Sequence, residues 1–176
     1  MNSIIITFVA VSVYVLSWLG GFSLAINPTD SIEPGVYIMR DRVRVDDLKT
    51  GDIVSACIPT GAMAQVFKAR GYVPESARCP SGLSPVIKHL AAKAGDHVAV
   101  SNFGVSINGK YQANSKVFST DSQGNPMGHL PLGWSRVLNQ GEFFLMATRI
   151  DRSLDSRYYG LIKTMDLQGK AVFKLF

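Results

Sequence analysis

Hydrophobic residues fill the front of the chain without a charge to interrupt them. From Ile4 to Ile26 the sequence passes through Ile4-Ile5-Ile6, Phe8-Val9-Ala10-Val11, Val13-Tyr14-Val15-Leu16 and Trp18-Leu19, broken only by Ser, Thr and Gly. As a helix this run reaches about 34 Å, slightly more than the roughly 30 Å hydrocarbon core of a bilayer. The pattern predicts one transmembrane helix within residues 1–26, followed by a separate domain over 27–176. A cleaved secretory signal is the rival reading, because Ser23-Leu24-Ala25 has the small-x-small form that precedes a cleavage site. Met1-Asn2-Ser3 carries no Lys or Arg, however, and the apolar stretch exceeds a usual signal core. Both points favour a retained anchor.

Beyond Asn27 the pattern changes to short apolar runs bounded by turn residues, which reads as strands. Val36-Tyr37-Ile38-Met39, Asp52 to Ala56, His97 to Val100, Gly104 to Ile107 and Phe143 to Ala147 are the strongest. Gly51-Asp52, Gly95-Asp96 and Asn108-Gly109 supply turns, and the last marks a hairpin between Val105-Ser106-Ile107 and Lys110-Tyr111. A helix is expected within Gly61 to Arg70. The polar, Gly-rich stretch from Ser119 to Gly133 reads as a long loop or small cap. The fold class is therefore mainly β, with insertions or a cap around 57–82 and 110–135.

Composition narrows the setting. The 176 residues carry a net charge of +5, all of it from the region after the apolar segment, with Arg40, Arg42 and Arg44 the densest cluster. Aromatics are not interleaved with the basic residues as a stacking platform for nucleic acid requires. A solvated basic surface, or attraction to anionic lipid headgroups, accounts for the charge instead. Cys57 and Cys79 are the only cysteines. In an oxidising compartment they would form one disulfide; in a cytosolic protein they would be buried thiols. His89, His97 and His129 lack ligand-like spacing, so no metal site is expected, and no phosphate-binding glycine loop or other cofactor motif is present.

Two residues bring chemistry to this frame. Ser31 lies in Asn27-Pro28-Thr29-Asp30-Ser31-Ile32-Glu33-Pro34-Gly35, a Pro/Gly-bounded turn directly after the apolar segment. A serine there is ordinarily a turn former. Lys88 sits in Ser84-Pro85-Val86-Ile87-Lys88-His89-Leu90-Ala91-Ala92, where apolar neighbours suggest a strand with the lysine facing inward. An ordinary lysine, with a pKa of about 10.4, is protonated at neutral pH and accepts no proton. Burial disfavours the ammonium form and lets the amine serve as base to a serine hydroxyl, at a cost of roughly 2.7 kcal/mol for a depression of about 2 pH units. A third block, Ser153-Leu154-Asp155-Ser156-Arg157-Tyr158-Tyr159-Gly160, places Ser153, Asp155 and Arg157 at alternating positions. On an extended segment they would share one face and could hold the amine by hydrogen bonding; the plainer reading is a polar strand edge with a surface ion pair.

These three blocks, in this order, resemble the signal peptidase I (leader peptidase) superfamily of serine-lysine peptidases. Ser31 matches the nucleophile and Lys88, seven residues before Gly95-Asp96, the general base. Ser153 and Asp155-Ser156-Arg157-Tyr158-Tyr159-Gly160 match the last block, and Gly51-Asp52 matches another recurrent turn. Asn-x-Thr-x-Ser followed by Pro and Gly-x-Tyr, together with the paired cysteines and the small size, resembles the TraF-type peptidases of conjugative transfer systems. Two departures stand out. Pro34 falls one residue later than in many relatives, and Ala147-Thr148-Arg149 stands where general signal peptidases carry Gly-Asp-Asn.

The resemblance implies a signal-peptidase-like antiparallel β domain on the periplasmic side of the inner membrane, anchored by a single pass. It implies a catalytic group of Ser31, Lys88, Ser153 and Asp155, an oxyanion site from the Ser31 amide and the Thr29 hydroxyl, a pairing of Asp155 with Arg157 that braces the site, and structural support from Gly95 and Asp96. Ser153 would orient Lys88. The expected partner is a precursor protein, a pilin precursor above all, within a membrane-bound conjugation or secretion assembly, with no nucleic acid. TraF-type relatives trim that precursor and some join its ends into a circle. A general signal peptidase of broad range is the alternative, and a non-enzymatic membrane-anchored scaffold is a third reading.

Overall fold

A computed structural model describes residues 20–147 and 149–176. The apolar run up to Leu19 and Thr148 lie outside the described residues, and so does most of the expected membrane anchor. Among the described residues no helix is long and apolar enough to cross a membrane.

Among the described residues eleven strands form two antiparallel sheets. The chain supplies β1 (Phe22–Asn27), β2 (Gly35–Arg40), β3 (Ile53–Ala56), helix α1 (Ala62–Ala69) and β4 (Val86–Ala92). It continues through β5 (His97–Ser101), β6 (Gly104–Ile107), β7 (Lys110–Tyr111), β8 (Ser135–Val137), β9 (Glu142–Met146), helix α2 (Ser156–Tyr159), β10 (Ile162–Lys163) and β11 (Leu167–Lys174). The larger sheet has seven strands in the order β1-β2-β11-β3-β4-β9-β10; the smaller has four, β7-β6-β5-β8. Ala92, Phe144 and Met146 of the large sheet pack with Val98, Val100, Val105 and Ile107 of the small one and fuse the two.

One boundary differs from the sequence reading. Residues 22–26, expected in the membrane helix, belong to β1, which pairs with β2 from Phe22 opposite Arg40 to Asn27 opposite Gly35. The physical reason is alternation: Leu24 and Ile26 are 65% and 72% exposed while Ala25 and Asn27 face inward, a period of two that hydrophobicity alone cannot tell from a membrane run. Ser31 consequently sits in a hairpin loop, residues 28–34, rather than directly behind a helix.

Helix α1 occupies the expected stretch. The segments around it are tied together: Cys57 and Cys79 are bonded with Cα atoms 5.5 Å apart, and the Tyr72 hydroxyl donates to Asp121 in the 119–133 loop. Arg70 Nη1 donates to the Pro126 carbonyl at 2.9 Å. Phe67, Val73, Leu83, Met127 and Tyr158 are buried together beneath these contacts. The two expected cap segments thus pack against each other through one apolar cluster.

The Gly-Asp turns are built alike. Gly51 and Gly95 have φ of 96° and 88°, values that favour glycine, and each following aspartate caps its own turn. Asp52 accepts from the Lys49 amide at 2.7 Å, and Asp96 from the Lys93 amide at 2.9 Å. Both turns flank β4 or its partner strand β3 and so fix the strand that carries Lys88.

Candidate active site

On β4 the inward positions are Lys88, Leu90 and Ala92. Lys88 therefore stands where the alternation calls for an apolar side chain, and it is 7% exposed. Across the sheet edge the β1–β2 loop drives Ile32 into the core at 0% exposure and leaves its neighbour Ser31 at 4%. These two placements bring Lys88 Nζ to 3.0 Å from Ser31 Oγ. The ammonium's other hydrogen bond goes to the Ile87 carbonyl at 3.1 Å.

Burial without a carboxylate partner has the expected electrostatic result. Desolvation lowers the Lys88 pKa from 10.5 to about 8; the charge of Asp155 opposes the shift and that of Arg157 adds to it. A substantial fraction of the amine is therefore neutral just above physiological pH, in hydrogen-bond contact with the hydroxyl it would deprotonate.

Thr29 completes the loop. Its Oγ1 lies 3.0 Å from Ser31 Oγ and donates to Asn27 Oδ1 at 2.8 Å. Ser31, Thr29 and Lys88 open on a cleft of about 600 Å³ walled by Ile26, Tyr72, Val73, Pro85, Val86, Ile150 and Leu154, with Ser153 and Arg152 at its side. Apolar walls with a few convergent polar groups suit a peptide held in extended form.

The third block is arranged differently from its sequence reading. It is not an extended segment: Asp155 caps α2, accepting from the Arg157 amide at 3.2 Å, and Ser156 to Tyr159 turn into helix. An Asp followed by two residues able to start a helix makes a local cap that overrides alternation. Asp155 and Arg157 are both fully buried rather than a surface pair. Arg157 Nε and Nη2 donate to Asp155 Oδ1 and Oδ2 at 2.8 and 2.7 Å. Its Nη1 reaches the carbonyls of Asn114, Lys116 and Asp151, and its Nη2 that of Ser153. Asp155 Oδ2 also accepts from the Ala147 amide, and Ser156 Oγ from the Leu145 amide, which pins α2 to β9.

Of the expected catalytic group, then, Ser31 and Lys88 are in direct contact and Thr29 joins them. Ser153 lines the same cleft, 5% exposed, but it is not among the hydrogen-bond partners of Lys88. Asp155 acts on Lys88 through its charge and makes no hydrogen bond to Lys88 or Ser31. Gly95 and Asp96 lie in the turn beyond β4, away from the cleft lining. The sequence reading included Asn27 in the Asn-x-Thr-x-Ser pattern without giving it a role, and it did not single out Arg152, since an arginine in a polar loop gives no signal of its own.

With this geometry in view, the similarities of the chain are informative. A conjugal transfer protein TraF from Sinorhizobium fredii is 29% identical over 94% of this chain and 82% of its own length. A TraF protein of Agrobacterium fabrum is 30% identical over 89% and 84%, and a plasmid transfer protein TraF of Escherichia coli 30% identical over 77% and 73%. Among solved structures, a signal peptidase I from Enterococcus faecalis covers 72% of this chain at 17% identity and a TM-score of 0.40. The family described as signal peptidase, peptidase S26, matches residues 1–176. By that match and by relatives 30% identical over most of their length, the chain belongs to the S26 signal peptidase family.

Proposed function

We propose that this protein is a membrane-bound serine endopeptidase that cleaves leader peptides with a Ser31–Lys88 dyad, and that its substrate is the pilin precursor of a conjugative transfer system. The observation that carries the reading is the 3.0 Å contact between a buried serine hydroxyl and a buried lysine amine that has no carboxylate partner. Neutral Lys88 takes the Ser31 proton as Oγ attacks the scissile carbonyl. The tetrahedral oxyanion is held by the Ser31 amide and the Thr29 hydroxyl. Collapse breaks the peptide bond, the Lys88 ammonium protonates the leaving amine, and an acyl ester remains on Ser31.

Two acceptors can resolve that ester. Water releases a trimmed chain; a precursor amine held against the ester closes a new peptide bond, because an oriented amine reaches a high effective concentration. The names of the relatives support a role in plasmid transfer. The Cys57–Cys79 bond supports an oxidising compartment, and the charge-free N-terminal run, read as an anchor, supports the inner membrane. In this role the Asp155–Arg157 pair braces the segment that carries Ser153, and Ser153 lines the cleft beside the dyad.

The test is coexpression of the full-length protein with the candidate pilin precursor, comparing wild type with Ser31→Ala and Lys88→Ala. Precursor is expected to persist in both variants; trimming by either would refute the dyad. Mass spectrometry of the product separates the two fates, since a circular chain weighs one water less than the linear one.

A further inference from the structure

Asn27 closes β1 at 6% exposure, and the reaction just described gives it no part. Its amide is committed at both ends. The two hydrogens on Nδ2 are shared among the carbonyls of Thr29, Ile32 and Glu33, at 2.8, 3.3 and 3.2 Å. Three acceptors on one side fix which end of the amide is nitrogen. Oδ1 must then face Thr29, where the hydroxyl lies at 2.8 Å and the amide N at 3.4 Å.

A carboxamide oxygen only accepts. The Thr29 hydroxyl therefore gives its proton to Asn27, and its oxygen is left to accept from Ser31 Oγ, 3.0 Å away. Ser31 Oγ in turn accepts from the Lys88 ammonium at 3.0 Å. In the resting protein the donations run one way, from Lys88 to Ser31 to Thr29, and end on Asn27. Thr29 itself is exposed, so little besides Asn27 selects its rotamer.

We propose that Asn27 is a positioning residue for the acyl transfer. It fixes the Thr29 side chain so that the hydroxyl stands beside Ser31 Oγ, and it serves as the resting acceptor from which that hydroxyl turns to the oxyanion. The proposal rests on the peptidase reading. When Lys88 is neutral, the Ser31 O–H swings from Thr29 to the amine and is transferred there. As negative charge grows on the carbonyl oxygen, the Thr29 O–H rotates about Cβ–Oγ from Asn27 Oδ1 to the oxyanion; no bond to hydrogen breaks at Thr29. Asn27 keeps the Thr29 amide and the three carbonyls throughout, so the loop holds its shape while one hydroxyl moves. The side chain must be both donor and acceptor at one length, which asparagine is.

Steady-state cleavage of a fluorogenic peptide spanning the pilin precursor's processing site, by the full-length protein in detergent micelles, tests this. Asn27→Ala is expected to lower kcat about 30-fold, less than the loss of a whole oxyanion donor, with KM within about twofold. Because Asn27 acts through the Thr29 hydroxyl, the same change in a Thr29→Val background should cost less than about threefold further. Losses that multiply in the double variant, or an unchanged kcat in Asn27→Ala, would overturn the proposal. Asn27→Asp, which keeps the length and the acceptor toward Thr29 but loses the donations to the loop carbonyls, is measured beside it. Its kcat is expected about 3- to 30-fold below wild type, and a kcat equal to wild type, or a loss as complete as that of Ser31→Ala, would overturn the proposal even if the alanine variant fails to fold. A wild-type protein that does not cleave at all sinks the peptidase reading itself, a different result from an active enzyme indifferent to Asn27.

Discussion

Lys88 and Arg157 are both buried cations in this domain, and they are provided for very differently. Arg157 is fully buried with a two-pronged carboxylate and four carbonyls around its guanidinium. Burial works against its charge, but the hydrogen bonds and charge of Asp155 outweigh it and its pKa is raised. Lys88 has a hydroxyl and its own neighbour's carbonyl, and burial lowers its pKa to about 8. A buried charge with every donor satisfied is architecture. One held only by a hydroxyl and a carbonyl gives up its proton more readily, the property that the proposed base needs.

The sharpest way to break this contrast is to remove the proposed dyad. Ser31→Ala or Lys88→Met should lower kcat about 10⁴-fold or more in single-turnover cleavage, as removal of a nucleophile or its base does elsewhere; a loss under about tenfold would move the chemistry to another residue. Asp155→Asn should act on the other cation. It strips a charge from a fully buried pair, so chemical denaturation should show roughly 3–5 kcal/mol of lost stability. A mild effect there would mean that water or another group supports Arg157.

Lys88→Met should do the opposite and stabilise the fold. The depression from 10.5 to about 8 corresponds to roughly 3 kcal/mol of unfavourable burial, an upper limit on the gain. The sign follows from proton counting. Between about 8 and 10.5 the unfolded chain binds more protons at this site than the folded one, so wild type gains stability as pH rises through that window. The advantage of Lys88→Met in urea melts should be full below pH 8 and vanish above 10.5. An advantage constant across that range would assign it to packing instead. The smallest effect concerns rate: kcat/KM should rise about tenfold per pH unit below a midpoint near 8, then level off.

The same contrast explains what could be read in the sequence. Lys88 was legible because a lysine interrupts an apolar alternation, and Ser31 because its loop is bounded by Pro28, Pro34 and Gly35. Helix α1, the Asn108-Gly109 hairpin and the strands around them follow local pattern and needed no tertiary information. The pairing of Asp155 with Arg157 was legible but its setting was not: alternation suggests a strand, whereas Asp155 caps a helix and Arg157 collects carbonyls from segments about forty residues away in sequence. Nothing local announces such long-range partners. β1 was taken into the membrane run because an edge strand with Leu24 and Ile26 facing outward looks like membrane sequence until its pairing with β2 is known. β8, three residues long, is too short for any periodicity to mark. The neighbours of Leu24 and Ile26 across the sheet, Ile38 and Val36, continue that outward apolar face to Phe173 on β11.

The most direct test is the titration of the Lys88 amine itself, followed by ¹⁵N NMR of the selectively labelled full-length protein, with Lys88→Met to assign the resonance. A midpoint near 8 is predicted. A midpoint at the ordinary lysine value near 10.5 would show that Lys88 keeps its proton at neutral pH, and would contradict the proposal that it is the base for Ser31.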